Sequence, residues 1–259
     1  MYNLIIILSF FVIFFWSAFE QAGASLTFFA DEQTNREIFG WTMPASYFQS
    51  INPVSIIILA PLATLLWGWL GKRNREPSSP LKMAIGLVLL SLGYVVIAIG
   101  IKGVGADVKV SILWLTTMYV IHTLGELSLS PIGLSMVSKL APVKFSSLLM
   151  GIWFLANAAA NKLAGTLSGL YPPGEAEFKK AAGLGIDLPG ILNGSILATE
   201  EQLRILAENE IPSQFSHILG YQIGNLFDFF MIFVAMSAIA SVILFIMYKR
   251  LMKMMHGVH

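Results

Sequence analysis

The 259-residue sequence has no cysteine and few charged residues, since Asp, Glu, Lys and Arg make up only 12% of it. Without cysteine, the chain cannot form disulfides, thiolate metal sites, iron–sulfur clusters or CxxC redox pairs. The charges are also balanced, with 16 Lys and Arg against 15 Asp and Glu, so no basic field attracts nucleic acid. Soluble domains contain about 25% charged residues. The low charge content therefore argues against a water-soluble protein.

Apolar residues are in excess: they make up 56% of the sequence and give a mean hydropathy of +0.73. A helix needs about 20 mostly apolar residues to cross the hydrocarbon core of a bilayer. Six segments meet this requirement and predict an all-α integral membrane protein. The predicted spans cover approximately residues 4–29, 46–70, 81–101, 110–140, 145–170 and 221–248. We expect the first span to be retained rather than cleaved as a signal peptide, because it lacks a basic start and contains Glu20.

Lys and Arg concentrate on one side of these spans. If the N-terminus lies inside, nine of them are at the cytoplasmic span ends, and eleven acids lie in the opposite loops. Basic loops are kept in the cytoplasm. We therefore expect a multi-pass protein of the cell (inner) membrane with both termini cytoplasmic and an extracytoplasmic loop over residues 172–220. Within that loop, Thr199 and Gln202 predict a capping box and a short helix from Glu200 to about Asn209.

Glu126 lies near the middle of the fourth predicted span, about 21 Å along the helix from Ile112. Its side chain cannot reach water from there, so it is a candidate functional residue. Pro131 follows five residues later and removes a backbone donor, which predicts a kink beside the acid. Kinked or broken helices beside a midplane charge are typical of transporter sites. The structural alternative is a carboxylate that only holds two helices together.

Glu20 repeats this arrangement in the first span, on the same helical face as Trp16 and Gly23. An acid in spans one and four is weak evidence for two inverted triplets of spans. The alternative is an acid close enough to the outer surface to be hydrated. In the second span, Asn52 precedes Pro53 and adds an amide that can donate and accept hydrogen bonds.

The remaining polar residues of the spans have simpler interpretations. For Lys162 and Asp228 we favour snorkelling or a local ion pair. Asn157 and Asn161 are more typical of hydrogen bonds between helices.

An intramembrane enzyme is the main rival to a carrier. His122 and Glu126 lie four residues apart, a possible two-ligand metal face, but a catalytic zinc site needs a third protein ligand. The other histidines lie at span ends or in the tail. The sequence has neither a GxSxG nucleophile elbow nor a GxxxxGK[ST] phosphate loop. We therefore expect no enzyme and no metal, but a carrier driven by a gradient, or a channel, with the carboxylates favouring the carrier.

Four motifs occur in order along the chain: FWSAFEQAGASL at 15–26, INPVSIIILAP at 51–61, GELSLSPIGL at 125–134 and GIWFLAN at 151–157. Together they closely resemble the proton-dependent oligopeptide transporters (POT/PTR family) of the major facilitator superfamily. The resemblance covers only the C-terminal six helices of that family, and the ExxER motif of its first helix has no counterpart here. It implies one six-helix half of such a transporter, with spans one, two, four and five lining the cavity.

The resemblance also implies a role for each matched position. Glu126 would pair with the α-amino group of a bound di- or tripeptide, assisted by Asn52 and Ser130. Four aromatic residues would line loose side-chain pockets: Trp16, Phe19, Trp153 and Phe154. Glu20 would couple transport to protons by pairing with an arginine of the missing N-terminal six-helix half.

We therefore expect the C-terminal half of a proton-coupled di-/tripeptide symporter that works by alternating access. Its coupling ion would be the proton, without other cofactors, and its partners would be peptides, the lipid bilayer and the missing half, not nucleic acid. One alternative is another major facilitator symporter, although an anionic substrate would require a cation where Glu126 supplies an anion. The other is a membrane remnant or scaffold that transports nothing.

Overall fold

The apolar segments fold as helices because a backbone in lipid must satisfy its polar groups within the segment itself. A computed structural model describes residues 2–140 and 143–255. The α-helices within these two ranges are α1 (Tyr2–Phe19), α2 (Ser25–Glu32), α3 (Ile51–Lys72), α4 (Ser79–Ile101), α5 (Ile112–Leu140), α6 (Ser146–Ser168), α7 (Glu175–Gly183), α8 (Leu188–Leu192), α9 (Glu200–Glu208) and α10 (Leu226–Met254).

Short strands lie in the loops at the helix ends and pair with one another. The strands in the described ranges are β1 (Thr34–Asn35), β2 (Glu37–Ile38), β3 (Trp41–Thr42), β4 (Val110–Ser111), β5 (Ser216–Ile218) and β6 (Tyr221–Ile223). β1 pairs in parallel with β4, which ties the end of the first span to the start of α5. β2 with β3 and β5 with β6 form antiparallel hairpins.

Five helical segments of the described residues are long and apolar enough to cross a membrane: Leu4–Glu32, Ala45–Lys72, Ser79–Ile101, Ile112–Pro131 and Leu226–Met254. α6 is 23 residues long but does not qualify. Its Asn157, Asn161 and Lys162 lower its hydropathy. The chain is thus a multi-pass membrane protein, but composition and length qualify one helix fewer than the six spans predicted from the sequence.

The bundle is organised around α4, which packs between α10 and α5. α1 packs against α6 and α10, and α3 packs on α5. Where α4 meets α10, the ring of Tyr94 stacks on that of Phe233, with 4.9 Å between centroids. Both side chains are fully buried, so aromatic packing forms the centre of the core.

α4 and α5 approach each other at three glycines spaced seven residues apart on α4. A Cβ atom on Gly86 would lie 2.8 Å from the Gly125 carbonyl oxygen, and one on Gly93 would overlap the His122 ring. A Cβ on Gly100 would lie 2.5 Å from the indole ring of Trp114. Small residues at such contacts let helices in a membrane pack closely. The glycines therefore determine where α5, with Glu126, lies in the bundle.

The first span is interrupted beside Glu20. α1 ends at Phe19, a 3-10 turn covers Glu20–Gly23, and Ala24, with φ −129° and ψ −109°, separates this turn from α2. α5, by contrast, continues as one helix through Pro131. An unbroken helix can still bend, so the kink predicted beside Glu126 stays a prediction. The interruption of the first span was not predicted, and side chains of this span and of α4 satisfy its carbonyl oxygens.

The connection between α6 and α10 is structured. Helices α7 to α9 enclose their own apolar cluster: Ala181, Ile186, Leu188, Leu192, Leu206 and Ile211. At the start of α9, the backbone N–H of Gln202 donates to Thr199 Oγ1 at 3.2 Å, and that of Thr199 donates to Gln202 Oε1 at 3.0 Å. The predicted capping box and short helix are therefore confirmed, whereas α7, α8 and the β5–β6 hairpin were not predicted.

Candidate functional site

A hydrogen-bonded pair of polar side chains joins α3 to the middle of α5. Asn52 Nδ2 donates to Glu126 Oε2 at 2.8 Å and to Thr123 Oγ1 at 3.1 Å. The hydroxyl of Thr123 donates in turn to the Tyr119 carbonyl oxygen at 2.8 Å. Asn52 and Glu126 lie far apart in the sequence, yet the structure brings them together. Thr123, one turn before Glu126, completes the contact and was not singled out from the sequence.

The Glu126 carboxylate is half-buried, and only one of its oxygens is engaged. Among the residues that the structure describes, none donates to Oε1, and no Lys or Arg forms an ion pair with Glu126. A partly desolvated carboxylate without a cation is costly. The arrangement is therefore suited to receive a cationic group at Oε1.

His122 lies one turn before Glu126 but is directed to a different helix. Its Nε2 lies 3.1 Å from the Leu90 carbonyl oxygen of α4, and its ring packs 4.7 Å from that of Tyr94. Glu126 instead contacts Asn52 of α3. Within the described ranges, no group of three or more His, Cys, Asp and Glu side chains could hold a metal. His122 is thus a packed core residue that shapes the α4–α5 contact.

Two of the predicted aromatic site residues lie beside this part of α5. The rings of Trp16 and Phe19, both half-buried, meet edge to face with 5.2 Å between centroids. The Phe19 ring lies 6.3 Å from the imidazole of His122. This contact brings the Trp16–Phe19 pair next to the turn of α5 that precedes Glu126.

The other predicted site residues are more dispersed. Trp153 is 4% exposed and packs in the core, whereas its neighbour Phe154 is 58% exposed. Successive residues of a helix point about 100° apart, so these two side chains do not line the same surface. Ser130 is half-buried one turn after Glu126 and takes no part in the contact with Asn52.

Glu20 is exposed on the 3-10 turn of the first span. In the described part of the chain, it forms no ion pair. The carboxylate is thus available to a cation, and the coupling role that the resemblance implies for Glu20 stays a prediction.

Gln21 occupies the interruption of the first span and is fully buried. Its Nε2 donates to the carbonyl oxygens of Ser17 at 3.1 Å and of Ala164, on α6, at 3.0 Å. Its Oε1 accepts from the hydroxyl of Ser25 at 2.6 Å. The Gln21 side chain therefore joins α1, through Ser17, and α2, through Ser25, to Ala164 of α6. The sequence signal available for this contact was Gln21 and Ser25, two polar residues spaced four apart in an apolar span.

Hydroxyl groups satisfy further carbonyls at the interruption. The hydroxyl of Tyr94, from α4, donates to the Ala18 carbonyl oxygen at 2.6 Å. Thr27 Oγ1 donates to the Ala22 carbonyl oxygen at 2.9 Å. In lipid, such replacements are what allow a helix to be interrupted.

At the start of α10, Asp228 has a local structural role. Its carboxylate accepts from the Tyr221 hydroxyl at 2.9 Å and from the Gly224 backbone N–H at 3.2 Å. Its own backbone N–H donates to the Asn225 side chain at 2.9 Å, which caps the helix. Asp228 therefore has a local structural role, but its partners are a hydroxyl and a backbone N–H rather than the cation of the expected ion pair.

Residues 2–182 match a family model described as PTR2, the POT family. The uncharacterized transporter YclF of Bacillus subtilis (strain 168) is 39% identical over 70% of this chain and 36% of its own length. The peptide transporter YePEPT of Yersinia enterocolitica is 41% identical over 60% of this chain and 31% of its own length. The chain thus spans about a third of the length of these curated relatives.

The fold is also similar to solved transporter structures. A crystal structure of a mutant peptide transporter POT in complex with alafosfalin superposes with a TM-score of 0.72 at 29% sequence identity. The superposition covers 98% of this chain and 42% of that chain.

Proposed function

This chain belongs to the POT family, a family of transporters and not of enzymes, and from that membership we propose a specific role. We propose that the chain is the C-terminal six-helix half of a proton-coupled di-/tripeptide symporter that works by alternating access. The observation that carries the proposal is the Asn52–Glu126 pair, a half-buried carboxylate with one oxygen held and the other available.

Two similar proteins support a peptide substrate. The Yersinia relative is named a peptide transporter, and the superposed structure is of a peptide transporter bound to alafosfalin. A free peptide carries an α-ammonium group, which needs an anionic partner in a low-dielectric site. Asn52 holds Glu126 Oε2, so that Oε1 can accept from this ammonium. The site chemistry and the relatives therefore agree on a peptide.

The peptide side chains would meet the aromatic residues. The edge-to-face pair of Trp16 and Phe19 offers an apolar wall near Glu126, which suits a carrier with little sequence preference. Ser130 would contribute from α5, whereas Trp153 is buried in the core and would reach a peptide only after a rearrangement of α6. Phe154 is largely exposed in this chain, so its pocket would be closed only by a partner.

The proton would be coupled through Glu20, the exposed carboxylate beside the interruption of the first span. When deprotonated, it would pair with an arginine of the N-terminal half. Substrate binding that competes for this cation would favour protonation of Glu20.

The proposed N-terminal half would cover α3 and α6. Of all residues in α3, only Ser55 is buried. Its exposed residues are largely apolar, among them Ile57, Ile58, Leu62 and Leu65. α6 exposes Asn161 and Lys162, which lipid solvates poorly. A second bundle that carries polar groups would solvate these α6 side chains better than acyl chains do.

The charge distribution supports the orientation proposed for this half. Lys72, Arg73 and Arg75 follow α3, and Lys249 and Arg250 lie near the end of α10. Basic residues next to spans favour the cytoplasmic side. We therefore place both termini in the cytoplasm and the chain in the cell (inner) membrane.

The proposal is tested by co-expressing the chain with the N-terminal half of a POT relative in cells that lack peptide carriers. Uptake of labelled Ala-Ala should rise as the external pH falls. Glu126→Gln should abolish uptake because the amide cannot balance the peptide ammonium. Glu20→Gln should abolish accumulation but preserve exchange of peptide across the membrane.

Glu201→Gln, at an exposed acid of α9, is the matched control and should leave uptake unchanged. Immunoblotting of the membrane fraction corrects for expression. Uptake that persists in the Glu126→Gln variant would remove this residue, and with it the proposed site.

A further inference from the structure

A cavity of about 400 Å³ lies at the end of the bundle where α2, α4 and α6 end and α10 begins. Its wall is formed by four separate segments, which include Glu32, Lys102, Tyr171 and Phe227. Ligand pockets have volumes of roughly 300–1,000 Å³. The cavity is thus large enough for a small molecule, and none of its residues belongs to the Asn52–Glu126 site.

The cavity wall contains one acid, Glu32, beside Gly174, and Glu177, which does not line the cavity, is close to the same glycine. A Cβ atom on Gly174 would lie 2.8 Å from Glu32 Oε2 and 3.5 Å from Glu177 Oε2. Glu177 Oε2 accepts the backbone N–H of Gly174 at 2.9 Å, whereas Glu32 accepts no hydrogen bond from any described residue. Within the described ranges, neither acid is ion-paired. Two neighbouring carboxylates therefore lack a balancing cation.

Tyr171 lines the same cavity, and its hydroxyl oxygen is buried without a hydrogen-bond partner. Burial raises the pKa of this hydroxyl well above its usual range, and the charges of Glu32 and Glu177 raise it further, so the group stays neutral. A buried hydroxyl without a partner is rare in proteins and calls for one. Beside Glu32, it offers both a donor and an acceptor to a ligand.

The wall next to α10 is basic. Lys102 lines the cavity with its Nζ 5.9 Å from the centre of the Phe227 ring, and it forms no ion pair with Glu32. The cavity therefore has an ammonium on one wall and an unpaired carboxylate on another. Such a separation of charge is complementary to a zwitterion.

We propose that this cavity binds short zwitterionic peptides, with the peptide ammonium at Glu32 and Tyr171 and the peptide carboxylate at Lys102. The inference rests on the proposed function, within which the cavity is a second peptide site separate from Glu126. A peptide held here is at the mouth of the bundle rather than at its centre.

The test is equilibrium binding of Ala-Ala to the full chain in lipid nanodiscs, measured by titration calorimetry. The chain carries Glu126→Gln, which disables the central site. Ala-Ala should still bind, and Glu32→Gln or Lys102→Met should weaken binding at least about tenfold, as expected for loss of a charge-assisted bond. Tyr171→Phe, which preserves the ring, should weaken binding several-fold.

Glu37→Gln and Lys109→Met alter exposed charges outside the cavity and serve as controls that should bind normally. N-acetyl-Ala-Ala and ethylamine each lack one of the two charges, so both should bind far more weakly than Ala-Ala. Ethylamine binding as tightly as Ala-Ala would make this a simple cation site and overturn the proposal. Loss of all binding in the Glu126→Gln chain would also overturn it.

The two proposals fail separately. If Ala-Ala binding depends on Glu32 and Lys102 while the co-expressed halves take up no Ala-Ala, the cavity stands and the proposed carrier function fails. If uptake depends on Glu126 but binding is indifferent to Glu32 and Lys102, the carrier stands and the second site fails.

Discussion

The first and fourth spans each carry an acid, but only the fourth contains a proline, which would favour an interruption there. The structure has its interruption in the first span instead. α5 contains Pro131 and is one uninterrupted helix of 29 residues. The first span has no proline and is nevertheless interrupted over Glu20–Gly23. A helix in this protein is therefore interrupted where other side chains replace its backbone hydrogen bonds, and not where a single donor is missing.

This difference leaves the two acids in different surroundings. Glu126, on the continuous helix, is half-buried and held by the Asn52 amide of α3. Glu20, on the interrupted span, is exposed and has no ion-pair partner in the described ranges. Glu126 is positioned before a ligand arrives, and Glu20 is available to pair with a cation or a proton. The contrast suits a binding role for Glu126 and a coupling role for Glu20.

The largest effect is expected from Gln21→Leu at the interruption of the first span. Leucine removes both donated hydrogen bonds and leaves the Ala164 carbonyl and the Ser25 hydroxyl without their partner. Buried unpaired groups cost about 1–3 kcal/mol each in soluble proteins and less in membranes, so we expect a loss of about 3 kcal/mol. The free energy of unfolding in mixed micelles measures it.

Gln49→Leu is the matched control, because the exposed Gln49 makes one long hydrogen bond of 3.3 Å to Thr27. Its unfolding free energy should stay within about 0.5 kcal/mol of the original. Equal losses for the two variants would mean that the interruption does not depend on Gln21.

Features encoded by neighbouring residues were predictable from the sequence. The capping box of Thr199 and Gln202 needs only four residues and was found in α9. The interruption of the first span could not be found in the same way, because Gln21 donates to Ala164, 143 residues away. The close contact of α4 with α5 at Gly86, Gly93 and Gly100 was not predicted either, because only the structure shows that α5 lies against these glycines.

In the candidate site, too, single residues were predictable from the sequence, whereas the contacts between them were not. The position of Glu126 in the middle of a span marked it from the sequence alone, and the motifs marked Asn52. Their hydrogen bond joins residues 74 positions apart, and spacing along a chain does not encode such a contact. Trp153 and Phe154 are adjacent in one motif, yet only the packing of α6 shows that one is buried and the other exposed.

A smaller loss is expected from Gly93→Ala, which tests whether α5 is held by packing rather than shaped by its proline. The added methyl group would overlap the His122 ring, so α4 and α5 must separate. Overpacking costs about 1–3 kcal/mol, and we expect about 2 kcal/mol in the same unfolding measurement. Gly68→Ala is the control, because a Cβ atom there meets nothing within 4 Å. A Gly93→Ala protein as stable as this control would argue against close α4–α5 packing.

The smallest effect is expected from Pro131→Ala. α5 is already helical through this position, so alanine restores a backbone donor without changing the path of the chain. Proline is tolerated within membrane helices because nearby groups satisfy the freed carbonyl, so the unfolding free energy should rise by no more than about 1 kcal/mol. Labelling of a cysteine introduced at Ser130 should likewise be unchanged. A large gain in stability, or altered labelling, would show that Pro131 strains or bends α5 and that the two spans differ less than the structure indicates.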